Sequence, residues 1–202
     1  MRLLKGLLTA IGIIGVLVII ALIMGYYLFS LTPSIKEKIR PVVLTAEAAQ
    51  SLDKKFSTLE ADIEEAVNKK QKLKVNLTIT EEEVNSKFVE ILAEGKLPLK
   101  EILINFNEGY IIAFVVFDNP GVDAKTGVIT RMEVLKGTPE VLVEDFELGK
   151  LPLPQDVKNG VGSLLNVLVK TKLPTGNLSL DITKITISKG KLSIEGATKV
   201  GG

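Results

Sequence analysis

Thirty consecutive residues, Gly6 to Ile35, carry no charge, and they read GLLTAIGIIGVLVIIALIMGYYLFSLTPSI. An α-helix rises about 1.5 Å per residue, so roughly 20 residues cross a hydrocarbon core of about 30 Å. The run is long enough to span a bilayer and longer than a buried helix of a small domain needs. Arg2 and Lys5 precede it with no acid nearby. The positive-inside rule then predicts a cytoplasmic N-terminus and an extracytoplasmic remainder, although Lys36, Lys38 and Arg40 come after the run, offset in part by Glu37. A cleaved signal peptide has an apolar core of about 7–15 residues and a small-x-small cleavage site. The exit here, YYLFSLTPS, has no such site. A single-pass, uncleaved anchor in the cell membrane is the expectation.

Of 25 basic residues two precede the run, which leaves 23 against 24 acidic ones, a net charge of −1 for the remainder of the chain. A near-neutral domain offers no electrostatic footprint for nucleic acid. The sequence has no Cys, and so no disulfide framework and no thiolate nucleophile. It also has no His, the commonest general base and the commonest metal ligand. P-loop, GxGxxG, GxSxG and HExxH patterns are all missing. No enzyme, cofactor or metal site is expected.

The rest divides into a juxtamembrane segment with an amphipathic helix (36–71) and an extracytoplasmic α+β domain (72–202), after the N-terminus and anchor (1–35). Thr45 is placed to cap a helix running to about Gln71, with an apolar stripe at Leu52, Phe56, Leu59, Ile63 and Ala66. That stripe matches about two heptads, so packing on the adjoining sheet is favoured over a dimeric coiled coil. From Lys72 the period changes to two, which predicts a strand with one wet face. Thr80 and Glu83 form a capping-box pair for a helix ended by Gly95. Hairpins are predicted at 101–117, 128–146 and 178–197, the last with a slip in period between Ile182 and Ile185 that predicts a bulge. A helix from about Gln155 to Thr171 carries the stripe Val157, Val161, Leu164, Leu165 and Leu168. Together these elements predict a curved antiparallel sheet of about seven strands packed on two or three helices.

Two acidic groups invite a cation-binding reading. Glu81-Glu82-Glu83 is better explained as acids in a helix first turn, where they complement the dipole. Glu140, Glu144, Asp145 and Glu147 do not converge when placed on a strand, and they predict a sheet edge blunted by charge. Leu-Pro pairs at 97–98, 151–152, 153–154 and 173–174 stand at helix boundaries.

The order anchor, strand into Ile79–Asn85, apolar hairpin, Leu148–Pro154, helix, Leu173–Pro174 and closing hairpin resembles the YpmS-like family of single-pass bacterial membrane proteins. The resemblance implies an exported domain tethered to the membrane, and it brings no catalytic residues with it.

The strand Tyr110–Phe117 is apolar on both faces, so both require cover. With the helix Val157–Leu168 and a tether beside lipid, it points to a binding module for a lipid or other apolar ligand. The candidate lining is Ile112, Phe114 and Val116 with Val161, Leu165 and Leu168. Ile111, Ala113, Val115 and Phe117 form the opposite strand face, and the periodicity does not tell which of the two is open. The alternative is a non-enzymatic envelope scaffold that contacts a protein partner, or a second copy, through the Leu52–Ala66 stripe.

Overall fold

A computed structural model describes residues 17–95, 97–118, 121, 123–172 and 180–199, without the side chains of 168–172. Helix α1 covers residues 17–30. The segment Leu17–Lys38 contains an 18-residue window of mean hydropathy 1.8, 11% of it buried, and is long and apolar enough to cross a membrane. A short 3-10 turn, Ser34–Lys38, comes next. Then come α2 (Ala46–Asn68), β1 (Lys74–Thr80), α3 (Glu81–Ala93), β2 (Leu99–Asn107), β3 (Tyr110–Phe117), β4 (Ala124–Leu135), β5 (Thr138–Leu148), α4 (Gln155–Lys172), β6 (Leu180–Ser188) and β7 (Lys191–Thr198).

The local signals hold. Thr45 Oγ1 accepts from the Ala48 N–H at 3.1 Å, and the Thr80–Glu83 capping box is complete. The β6–β7 register shifts between Ile182 and Lys184, where the bulge was expected. The α2 stripe is consumed internally. Leu52 and Leu59 pack with Leu77, Ile79 and Val84, while Ile63 joins Val75, Phe106 and Ile182. That stripe is therefore closed off as a coiled-coil seam.

The class is α+β, but the strands form two antiparallel sheets rather than one curved sheet of seven. A three-stranded sheet has the order β1-β7-β6, and a four-stranded sheet the order β2-β3-β4-β5. Hairpin signals are local and do not say which hairpins share an edge. Here β1 pairs with the chain's last strand, Lys74 opposite Ala197 through Thr80 opposite Lys191. β6 then lies across all four strands of the larger sheet. The main core sits at this crossing, where Leu180, Ile182 and Ile187 meet Phe106, Ile111, Met132 and Val134.

Both edges of the four-stranded sheet are closed by an asparagine on a helix. Asn85 of α3 accepts from the Ile104 N–H of β2 at 2.8 Å and donates to the Ile104 carbonyl at 2.7 Å. Asn166 of α4 accepts from the Val141 N–H of β5 at 2.7 Å and donates to the Val141 carbonyl at 2.8 Å. A carboxamide presents one acceptor and two donors, and so it can stand in for the next strand at one residue. The β5 edge is thus covered by a helix, in contrast to the charge-blunted edge expected from its acids.

Candidate functional site

Alternation along β2 to β5 assigns each side chain to one of two sheet faces. One face carries the rows Leu103–Phe114–Gly127–Glu147 and Asn105–Ile112–Ile129–Asp145. The chain leaving α1 runs across this face as a strap. Lys125 Nζ contacts Thr32 Oγ1 at 3.4 Å, and the Ile35 N–H donates to Glu147 Oε2 at 2.9 Å. Ile35 is fully buried against Ile112 and Ile129. A Cβ on Gly127 would lie 2.6 Å from Ile35 Cβ, so only glycine leaves room for the strap. Lys36 Nζ stands 4.3 Å from the centroid of the Phe114 ring and 3.4 Å from Glu101. The Arg40 N–H donates to the Asn105 carboxamide, and its guanidinium bonds Glu81 at 2.7 Å and the Phe106 carbonyl at 2.9 Å.

The strap therefore seals Ile112 and Phe114, and Val116 beside them is also buried. All three expected lining residues are thus buried within the fold. Val161 and Leu165 are half-buried on α4, and the side chain of Leu168 lies outside the described residues. Two other members of the α4 stripe, Val157 and Leu164, are exposed. The helix is seated instead by polar groups, Asn166 on Val141 and Lys158 Nζ on Asp145 at 2.8 Å.

The opposite face is different. Its far half lies under β6, but its near half carries the rows Ile102–Val115–Thr126–Leu148 and Ile104–Ala113–Val128–Phe146. Ile102, Ala113, Val115, Val128, Phe146 and Leu148 are all only partly buried, and Phe117 at the end of β3 is 41% exposed. The result is an apolar floor between the two asparagine-clamped edges, ended by β6. It points toward α1: two residues past Leu148, the Lys150 N–H donates to the Leu28 carbonyl at the end of that helix, at 2.8 Å. Gly149 makes that docking possible, because with φ 57° any Cβ there would collide with the carbonyls of Leu28 and Phe29. The Lys150 N–H thus adds to the bonds that the Leu31 N–H and Ser30 Oγ make to the Leu28 and Tyr27 carbonyls at the end of α1.

The acids have structural work. Glu81 accepts from the Phe106 N–H and from Arg40. Glu83 is largely buried, which raises its carboxyl pKa, but hydrogen bonds from Lys55, Ser51 and the Thr80 N–H outweigh this and hold it below the usual value. Asp145 is lowered chiefly by the Lys158 hydrogen bond, against some burial, with help from the Phe146 N–H and the charge of Lys38. Among the described residues no group of three or more acids stands close enough to hold a metal ion.

Sequence reasoning missed Asn105, Asn166 and Gly127, and it missed the roles of Asn85 and Gly149 within the stretches Ile79–Asn85 and Leu148–Pro154; these residues hold the strap, the sheet edges and α1 together. A carboxamide within a helix and a glycine within a strand were the available signals. No family model and no curated protein sequence matches this chain.

Proposed function

We propose that the protein is a membrane-anchored, extracytoplasmic, non-catalytic module that binds a lipid acyl chain or a similar apolar ligand on the open face of the four-stranded sheet. The observation that carries this reading is the floor of Ile102, Ala113, Val115, Val128, Phe146 and Leu148, partly buried and directed to the end of α1. Contiguous apolar surface of this kind marks an interaction site when it is large and rimmed by polar groups. The docked Gly149–Lys150 turn supports a fixed orientation, with the open end beside the bilayer from which an acyl chain would enter. The orientation of charges around the anchor and the resemblance to the YpmS-like family agree with export.

The test is photo-cross-linking of the full-length chain in nanodiscs that contain a phosphatidylglycerol with a diazirine on its acyl chain. Labelling of β3, β4 and β5 at the floor residues, lost in Val115→Glu with the fold intact by circular dichroism, is the expected result. Labelling confined to residues 6–35 would refute the reading.

A further inference from the structure

Three of the four sheet edges are closed. Asn85 covers β2 and Asn166 covers β5. The hairpin turns of the larger sheet cover β6, through the Gly109 N–H on the Ile187 carbonyl and the Ile182 N–H on the Gly137 carbonyl, 3.0 and 3.1 Å. The free edge of β1 is the exception. The Leu73 carbonyl accepts from the Thr198 N–H, so the odd residues of β1 bond toward β7, and Lys74, Asn76 and Thr78 turn their main-chain groups outward. Lys55 Nζ takes the Thr78 carbonyl at 2.7 Å, and the capping box takes the Thr80 N–H. The N–H and carbonyl groups of Lys74 and Asn76 have no partner among the described residues.

These groups face a groove of about 400 Å³ between β1 and α2. From Lys74 to Thr78 the edge is about 13 Å long at roughly 3.3 Å per residue, room for a strand of four or five residues. The α2 wall contributes Lys54, Lys55, Thr58 and Asp62, and Lys74 stands at the strand side. Lys55 is engaged by Glu83. That leaves the ammonium groups of Lys54 and Lys74, both exposed, against the single carboxylate of Asp62.

We infer that this groove takes up an extended acidic segment of a partner protein, which adds as a strand to β1 while its carboxylates meet Lys54 and Lys74. Main-chain pairing supplies the affinity in strand addition, and the flanking side chains supply the selection. The groove belongs to the sheet that crosses the far end of the larger one, away from the Lys150–Leu28 junction, so it is independent of the apolar floor. The chemistry is binding only, with no bond made or broken.

The test uses the full-length chain in nanodiscs and a fluorescein-labelled hexapeptide that alternates valine with glutamate. Saturable binding that weakens with salt is expected, with new hydrogen-exchange protection at the Asn76 amide. A peptide carrying proline at alternate positions, which cannot donate to β1, should bind at least about tenfold more weakly, as should the parent peptide to Lys54→Glu/Lys74→Glu. Both lysines are exposed, so that variant retains the fold. No binding, equal binding of the proline peptide, or unchanged protection at Asn76 would overturn the proposal. So would β1-edge protection that arises from dimerisation of the chain and is not displaced by the peptide.

Discussion

Along β3 the two faces of the four-stranded sheet are built from the same kinds of apolar residue, yet they end in opposite states. On one, Phe114 is completely buried beneath Lys36, and Ile112 beneath Ile35. On the other, Phe146 and Val115 remain partly open, with Leu148 next to the turn that docks on α1. The difference comes from the chain that leaves α1. Because residues 32–40 cross one face and are pinned at Glu147 and Asn105, that face becomes the joint between α1 and the sheet. The other face is left to whatever else can cover it. An apolar strand is thus shared between a structural joint and a candidate ligand surface, which is why its two sides have to be read separately.

The largest expected effect breaks the comparison directly. Phe114→Ala should cost about 4 kcal/mol in denaturant unfolding of the full chain, because it opens a cavity under the strap. Phe146→Ala on the open face should cost about 1 kcal/mol, since its partly exposed ring loses little burial. Equal losses would mean that the second face is as closed as the first.

The sheet edges come next. Asn85 is itself buried, so Asn85→Leu strands the Ile104 N–H, while the Ile104 carbonyl keeps its bond from Asn105 Nδ2; a loss of about 2 kcal/mol is expected. Asn166 is less buried than Asn85, so water can take its place: Asn166→Leu should cost about 1 kcal/mol and should raise aggregation measured by light scattering. Gly127→Ala forces the strap away from the sheet. A loss of about 1–3 kcal/mol is expected, with faster hydrogen exchange at the Ile35 amide while the open face is unchanged.

The smallest effect is that of pH. The carboxyls of Glu83 and Asp145 titrate below their ordinary values of 4.5 and 3.8 in the folded protein. Their stabilisation is complete above those values and is lost as pH falls through the lower folded ones. Unfolding midpoints should therefore be flat from neutral pH to about 5 and decline below it, less steeply in Glu83→Gln than in the parent.

Much of the secondary structure was legible because its causes are local. Thr80 and Glu83 lie three residues apart and satisfy each other's backbone, whatever surrounds them. The alternation along β1 and the apolar stripe of α2 report that one face is buried. They do not report what buries it. The site was less legible for that reason: Tyr110–Phe117 needed cover on both faces, but the cover of one is a segment more than 70 residues earlier in the chain. The clamps were harder still. Asn85 and Asn166 look like ordinary polar positions in helices, and their role exists only once a strand edge is brought against them.

By itself the sequence determined that an uncharged run long enough to span a bilayer precedes a near-neutral α+β domain without His or Cys, and it determined where most helices and hairpins begin and end. Charge, hydropathy and capping act over a few residues, so they can be read in place. Only the tertiary structure decided that β1 joins the C-terminal hairpin, that there are two sheets, that the strap seals Ile112 and Phe114, and that Ala113 and Val115 stay open. Those outcomes depend on which distant surfaces exclude water together, and a period of two fits either face equally well.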